Sequence, residues 1–124
     1  MGFRFGSRLE KTSQIRLCID FRALNWAIIK DHFPLPNMEM ILQQVAGSQM
    51  MSLLDSFYGY NQMKVKREDK YKTTFITRWC IVAYECMPFG LSNAGATFQR
   101  PMQIMFDNLI GKIIQIYLDD STVY

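Results

Sequence analysis

Apolar and polar positions follow two periods along the chain, and these periods predict where strands and helices lie. Over residues 15–21 every second residue is a large apolar one, which is the pattern of a strand with one buried face. Residues 38–46 carry apolar side chains at helical spacing behind Asn37, a residue type that caps helix N-termini. The same spacing predicts a longer helix over 92–110, although Pro101 interrupts its hydrogen bonding.

Two further runs are mainly apolar, and each leads into acidic residues. Residues 50–54 precede Asp55, and residues 113–118 precede Asp119 and Asp120. Such runs predict strands that are largely buried. A carboxylate beside a core costs folding free energy unless a cation neutralises it. Neighbouring side chains of a straight strand point to opposite faces, whereas a tight turn would let Asp119 and Asp120 converge. The pattern predicts a divalent-cation site if the two strands lie side by side, whereas the pair alone is much more typical of a solvated turn.

The middle of the chain predicts an antiparallel meander of strands over residues 61–66, 71–77 and 81–87. Several basic residues fall on this meander. They have two interpretations, a surface that lines a nucleic acid or a solvated outer face, and the solvated face is the commoner case. The basic residues concerned are Lys64, Lys66, Arg67, Lys70 and Lys72.

Together these elements predict an α+β fold, in which helices cover one face of an antiparallel main sheet. The strands of the main sheet are expected at 50–54 and 113–118, and its helices at 38–46 and 92–110. The strands at 15–21 and 61–87 are expected to form a second, looser sheet. Residues 1–10 show no period and predict a poorly ordered lead-in, and the few residues after Asp120 predict only a stub of a returning strand.

The composition limits the class of protein. A chain of 124 residues with 49% hydrophobic composition predicts one domain with a core. The net charge of +3 permits a polyanionic partner without requiring one. Three cysteines without a Cys-x-x-Cys pair, together with a single histidine, argue against a zinc site and for a reducing compartment. No membrane span and no secretory signal are recognisable, so an intracellular protein without a membrane partner is expected.

Several blocks of sequence occur in an order that is typical of one family. They are IRLCIDFRALN at 15–25, FPLP at 33–36, LD at 54–55 with GYNQ at 59–62, KTTF at 72–75, MPFGLSNAGATFQR at 87–100 and YLDD at 117–120. Together they cover the chain from about Lys11 to Tyr124. This set resembles the fingers and palm of a reverse transcriptase of the gypsy type, which is found in LTR retrotransposons.

The resemblance implies the fold and the activity. The fold would be a partial right-hand polymerase fingers and palm, with residues 11–124 forming a reverse transcriptase domain truncated after the aspartate pair. The activity would be RNA-directed DNA polymerisation, which extends a primer on an RNA or DNA template with deoxynucleoside triphosphates. Asp55, Asp119 and Asp120 would hold two Mg²⁺ ions, or Mn²⁺ in their place, and the carbonyl of Ser56 would also reach the metal.

The resemblance also implies roles in substrate binding. Lys11 and Arg16 match fingers residues that grip the incoming triphosphate, a task suited to a point charge and a guanidinium fork. Tyr60 matches an aromatic gate against the ribose 2′-hydroxyl, and ordinary core packing is its alternative interpretation. The remaining matched positions are two that lie beneath the nucleotide and template, Phe89 and Gly90, and two that contact the template-primer, Tyr117 and Leu118.

The family places a thumb, a connection and a ribonuclease H region downstream of these blocks. Because the sequence lacks them, we expect the chain made alone to be inactive, with those regions as its missing partners. A non-catalytic, transposon-derived remnant that at most binds nucleic acid is the alternative. A third possibility, another palm enzyme such as a diguanylate cyclase, is opposed by the block at 87–100.

Overall fold

The computed structural model describes residues 5–9 and 15–124 of the chain. Seven strands and four α-helices make up the described part, with a short 3₁₀ helix at Lys70–Thr73. In chain order they are β1 (Phe5–Leu9), β2 (Ile15–Ile19), α1 (Arg22–Ala27), α2 (Met38–Val45), β3 (Ser52–Asp55), α3 (Phe57–Tyr60), β4 (Phe75–Ile76), β5 (Ile81–Val82), α4 (Ala94–Phe106), β6 (Ile114–Tyr117) and β7 (Asp120–Val123). All strand pairs between these elements are antiparallel, which confirms the predicted α+β class.

The main sheet has three strands in the order β3-β7-β6. β7 therefore lies between the two strands that were predicted to be neighbours, and the expectation that it would be only a stub was wrong. The turn between β6 and β7 is only two residues long, so β7 folds straight back along β6. Its β-favouring residues Thr122 and Val123 then pair with a strand on each side. On the β3 side their partners are Leu53 and Ser52, respectively.

The second sheet was predicted as one unit, and the structure has two separate pairs instead, β1-β2 and β4-β5. A poorly ordered lead-in was predicted over residues 1–10. For residues 5–9 this prediction was wrong, because they form β1. β1 is a strand because of its ladder with β2, whereas its own sequence pattern is weak.

The strands predicted over 61–87 are much shorter than expected. Residues 61–66 contribute only a single bridge, between Lys64 and Cys86, and the 3₁₀ helix replaces the start of the predicted strand at 71–77. The hydroxyl of Thr73 donates to the carbonyl of Lys70 (2.8 Å) and accepts from the amide of Tyr84 (3.3 Å). The bond to Lys70 is local and competes with the ladder bonds of a strand, which explains why the strand predicted at 71–77 begins only at Phe75.

Both predicted helices exist, with ends set by their local sequence. The side chain of Asn37 accepts a hydrogen bond from the amide of Glu39 at 2.8 Å and caps α2, as expected. α4 is shorter than predicted, and Pro101 lies inside it. α4 packs against β6, and the side chain of Gln44 in α2 is hydrogen-bonded to that of Gln115 in the same strand.

The core lies between α3 and α4. Tyr60, Met87, Ala94 and Phe98 form its buried cluster, with Met63, Leu91 and Met102 packed around it. The prediction that β3 is buried was wrong, because Leu53 and Leu54 are 80% and 54% exposed. β3 is one of the two edge strands of the sheet, and the side chains of Leu53 and Leu54 are left largely uncovered by the described part of the chain. Met105, one of the apolar residues at helical spacing in α4, is also exposed.

None of the helices that the structure describes has both the length and the apolar character needed to cross a membrane.

Candidate active site

The hairpin of β6 and β7 carries two of the three candidate aspartates at its tip. Tyr117 and Asp120 form the last pair of its ladder, so Leu118 and Asp119 make a two-residue turn. Leu118 has φ 54°, and no other non-glycine residue in the described ranges has a positive φ. Two-residue hairpin turns need a positive φ at the first position, where glycine or asparagine is usual. The turn is therefore strained by about 1 kcal/mol or more at Leu118.

A buried glutamine of α4 contacts the backbone on the way into this turn. The amide of Leu118 donates to Oε1 of Gln99 at 2.7 Å, and Nε2 of Gln99 donates to the carbonyl of Ile116 at 3.1 Å. Gln99 has no exposed surface. One turn earlier in α4, a Cβ added to Gly95 would lie 2.8 Å from Cδ2 of Leu118, so only glycine leaves room for that side chain.

The third aspartate lies across the sheet from the hairpin. Asp55 ends β3 and is the ladder partner of Asp120, so the two side chains share one face with Cβ atoms about 4.5–5.5 Å apart. The amide of Ser56 donates to the carbonyl of Asp119 at 2.7 Å and ties the turn to the start of α3. Like charges directly opposite each other destabilise a sheet, and a bound cation would remove that repulsion.

The three carboxylates do not form one cluster. Within residues 5–9 and 15–124, no group of three or more His, Cys, Asp or Glu side chains is placed to hold a metal ion. The predicted convergence of Asp55, Asp119 and Asp120 in a shared shell is thus not seen. Asp55 and Asp120 face each other, while Asp119 belongs to the turn. Two opposed carboxylates with a third beside them are still the hard oxygen donors that Mg²⁺ prefers.

The carbonyl of Ser56 accepts a hydrogen bond from the amide of Gly59 at 2.7 Å. A carbonyl oxygen has two lone pairs, so this bond leaves one for another partner.

Tyr60 lies in a stack of three aromatic rings. Its ring is stacked on Phe98 at 4.9 Å between centroids and is tilted against Phe89 at 4.8 Å. Tyr60 is only 4% exposed, and burial, with a smaller contribution from the charge of Asp119, raises the pKa of its hydroxyl. A Cβ on Gly59 would lie 2.6 Å from the Phe98 ring, so the stack depends on glycine there. Core packing therefore describes this ring, and the gate remains a prediction.

The loop that carries Phe89 and Gly90 is fixed by the end of α1. Nδ2 of Asn25 donates to the carbonyl of Gly90 at 2.7 Å, and its Oδ1 accepts from the amide of Ser92 at 2.9 Å. Gly90 has φ 94°, a conformation that glycine adopts without strain. Phe89, whose ring is tilted against that of Tyr60, is 45% exposed, so this loop presents an aromatic side chain at the surface.

A second set of interactions joins the segment that follows α1, at residues 29–33, to α4 and its N-cap. Oδ1 of Asn93 accepts from the amide of Asp31 at 3.0 Å, and Nδ2 of Asn93 donates to the carbonyl of Ile29 at 2.8 Å. Nη2 of Arg100 lies 3.0 and 2.8 Å from the two carboxylate oxygens of Asp31, and its guanidinium lies over the Phe33 ring at 4.8 Å. Asn93 and Arg100 lie inside the recognised block at 87–100, but their partners are distant in sequence.

The other predicted site residues are less informative. Arg16 lies in β2 opposite Arg8, and Lys11 lies outside the described residues. Tyr117 is half-buried and shares the face of its ladder partner Asp120, whereas Leu118 packs on Gly95. A cavity of about 760 Å³ lies between the α1 region and residues 63–73, and none of its lining residues was predicted to belong to the site.

Comparison with known sequences identifies similar proteins over most of the chain. Residues 9–124 match the family described as "Reverse transcriptase (RNA-dependent DNA polymerase)". The chain is 36% identical over 110 residues to an RNA-directed DNA polymerase homolog of Oenothera berteroana, covering 89% of this chain and 78% of that protein. It is 38% and 37% identical to the retrovirus-related Pol polyproteins of the Drosophila melanogaster transposons 297 and gypsy. Those matches cover 90% and 88% of this chain but only 11% and 10% of the polyproteins.

Solved structures agree on the fold. The protease-reverse transcriptase of prototype foamy virus superposes with a TM-score of 0.86 at 18% identity, covering the whole of this chain and 16% of the viral one. The foamy viral protease-reverse transcriptase in complex with an RNA/DNA hybrid gives a TM-score of 0.84 at 19% identity, again over 16% of that chain. At this identity the likeness concerns the fold alone.

Proposed function

This chain belongs to the reverse transcriptase (RNA-dependent DNA polymerase) family, and on that premise we propose that it is the fingers and palm part of an enzyme that extends a primer on an RNA or DNA template. The observation that carries the proposal is the pairing of Asp55 with Asp120 on one face, directly beside the turn that holds Asp119. Opposed carboxylates at a hairpin tip have an electrostatic cost that a bound cation would offset.

In this proposal Asp55, Asp119 and Asp120 hold two Mg²⁺ ions, with Mn²⁺ as a substitute and with the carbonyl of Ser56 as a further ligand. Bound cations of this kind activate the primer 3′-hydroxyl and neutralise charge on the triphosphate and the departing pyrophosphate. The protein's part is to set the spacing. The ladder fixes Asp120 opposite Asp55, and the bond from the amide of Ser56 fixes the backbone of Asp119.

Substrate binding is proposed for the residues around this site. Lys11 and Arg16 would grip the triphosphate of the incoming deoxynucleotide. Tyr60, whose ring lies between those of Phe89 and Phe98, would exclude the ribose 2′-hydroxyl. Phe89, with its exposed ring, and Gly90 would lie beneath the nucleotide and template.

Tyr117 and Leu118 would contact the template-primer. The foamy viral relatives of known structure are described in complex with an RNA/DNA hybrid and with double-stranded DNA, which supports such a duplex as the partner here. Its substrates would place the protein inside the cell, in a cytoplasmic particle or the nucleus.

The whole enzyme would need further regions. The chain spans about a tenth of the Drosophila polyproteins that it matches. We infer that thumb, connection and ribonuclease H regions complete it, and that the 124 residues alone have little activity. Phosphoryl transfer depends mainly on positioning, and a primer that is held by fingers and palm alone would rarely align with the α-phosphate.

Metal binding by the purified chain tests this proposal, since it does not require turnover. Mn²⁺ titration followed by the EPR signal of the free ion should show binding that is lost in Asp55→Asn and in Asp120→Asn. Asp107→Asn, which removes an exposed carboxylate at the end of α4, is the matched control and should bind as the wild type does. Equal binding by all four proteins would overturn the proposed site.

Primer extension with Mg²⁺ tests the proposed inactivity of the chain alone. We expect the wild-type chain and the Asp119→Asn, Asp120→Asn double variant to be indistinguishable. Extension by the wild type well above the double variant would show that fingers and palm suffice for chemistry. The non-catalytic alternative is favoured if neither metal binding nor extension is detected.

A further inference from the structure

We propose that Gln99 is a positioning residue, which holds the strained turn at Leu118 and so sets where Asp119 and Asp120 stand relative to Asp55. The inference rests on the proposed function, because it concerns the same carboxylates. Gln99 is not a metal ligand or a substrate contact in this proposal. It would act only through the backbone of β6 and the turn.

The direction of the backbone groups explains why a side chain is needed here. β6 is at the edge of the main sheet, with β7 on one side and no strand on the other among the described residues. Because Tyr117 and Asp120 close the hairpin, the carbonyl of Ile116 and the amide of Leu118 point away from β7. Gln99 accepts from one and donates to the other, so its amide group takes the place of a peptide unit in a neighbouring strand.

The contact coincides with the one strained residue of the turn. A positive φ in a leucine persists only when its surroundings fix it. At Leu118 two features of α4 do so, the side-chain oxygen of Gln99 that accepts from the Leu118 amide and the gap at Gly95 that admits the Leu118 side chain. The next residue of α4, Arg100, is paired with Asp31, which anchors this part of the helix.

The turn is thus held on both sides. Gln99 contacts its first residue, and the amide of Ser56, next to Asp55, contacts the carbonyl of its second residue, Asp119. Loss of the Gln99 bonds would leave the buried carbonyl of Ile116 and the part-buried amide of Leu118 unpaired, and would let the backbone at Leu118 relax. The carboxylates that follow it would then no longer be fixed against Asp55, and cation affinity would fall.

Gln115 provides a matched control. It is also a buried glutamine, it lies in β6 itself, and its amide is bonded to the side chain of Gln44 and lies 3.5 Å from the hydroxyl of Tyr124. Replacing either glutamine with methionine removes the same polar group at nearly constant volume. Only Gln99→Met removes a partner of the turn.

The experiment compares wild type, Gln99→Met and Gln115→Met by amide hydrogen exchange, by Mn²⁺ titration with EPR detection and by thermal unfolding. Both variants should unfold at a lower temperature. Only Gln99→Met should lose protection at the Leu118 amide, and its Kd for Mn²⁺ should rise about tenfold or more, as is typical when a group that orients metal ligands is removed.

A double variant adds a test of the strain itself. Glycine adopts a positive φ without cost, so Leu118→Gly should make the turn less dependent on Gln99. We expect Gln99→Met to raise the Mn²⁺ Kd by a smaller factor in the Leu118→Gly background than in the wild type. Equal factors in both backgrounds would show that Gln99 does not act through this turn.

Other outcomes are equally decisive. A Gln99→Met protein that folds and keeps the wild-type Kd would overturn the inference. A Leu118 amide that exchanges as fast as an exposed one in the wild type would overturn it even if Gln99→Met does not fold. If the wild type and Asp55→Asn bind Mn²⁺ equally, the proposed function fails instead, and selective loss of Leu118 protection in Gln99→Met still supports the clamp.

Discussion

Asp55 stands directly across the β3-β7 ladder from Asp120, so two carboxylates face each other on the same side of the sheet. Without a divalent cation, Asp55→Asn should therefore raise the free energy of unfolding, by about 0.2–1 kcal/mol, because it removes a like-charge pair. With Mg²⁺ present the order should reverse, since only the wild type gains stability from binding. Urea unfolding with and without Mg²⁺ measures both effects. A variant less stable than wild type in EDTA would contradict the repulsion.

The space around Gly59 predicts a second result. Gly59→Ala places a Cβ 2.6 Å from the Phe98 ring, and such overpacking should lower the free energy of unfolding by about 1–3 kcal/mol. Gly47→Ala is the control, because a Cβ there has no atom within 4 Å and φ is not positive. That change should be neutral or stabilising by up to about 1 kcal/mol. Equal urea midpoints for the two variants would show that the aromatic stack adjusts freely.

Ser121 offers a stabilising change. Its Oγ is buried without a hydrogen-bond partner, alone in this among the side-chain atoms of the described residues. Ser121→Ala should therefore raise the free energy of unfolding by about 1 kcal/mol. Thr73→Val is the contrast, because the Thr73 hydroxyl is buried but bonded to Lys70 and Tyr84, and its loss should destabilise. A destabilised Ser121→Ala protein would indicate that its hydroxyl has a partner in solution.

Tyr60 predicts how stability changes at high pH. Burial first, and the charge of Asp119 second, raise its pKa above the ordinary 10.0. The folded state thus keeps this proton more tightly than the unfolded state does. The resulting stability is complete below about pH 10 and is lost as the pH rises through the folded-state pKa. Urea unfolding from pH 8 to 11 should show that the free energy of unfolding falls less in Tyr60→Phe than in the wild type.

Tyr71→Phe is the control for the Tyr60 experiment, since it removes a hydroxyl from a mostly exposed ring. If Tyr60→Phe and wild type lose stability in parallel up to pH 11, then Tyr60 is not the group responsible.

Local features of the chain could be predicted from the sequence, while features that depend on distant partners could not. The cap at Asn37 is an example of the first kind, because donor and acceptor are two residues apart. β7 is an example of the second, since its place at the centre of the sheet depends on β3. Gln99 was missed for the same reason. Its position in α4 is unremarkable until β6 lies beside it with two unpaired backbone groups.

The candidate site follows the same rule. The three aspartates were recognisable from apolar runs that end in acids, but their arrangement was not. The order of the strands puts Asp120 and not Asp119 opposite Asp55, and a two-residue turn removes Asp119 from the ladder. The strands predicted at 61–66 and 71–77 are reduced to a bridge at Lys64 and to β4, because alternation alone does not supply a partner along the whole strand. Thr73 instead bonds its hydroxyl to the carbonyl of Lys70.

The strand order β3-β7-β6 also has a consequence for how the chain folds. The β6-β7 hairpin joins residues that are close in sequence, and hairpins form within about 1–10 μs. The rung between Asp55 and Asp120 instead has to close a loop that includes α3, α4 and the β4-β5 pair, and such non-local contacts form slowly. The hairpin tip should therefore exist before its third carboxylate arrives. Electrostatic repulsion between the aspartates would then oppose the last step of folding. Divalent cations in the refolding buffer should accelerate that step.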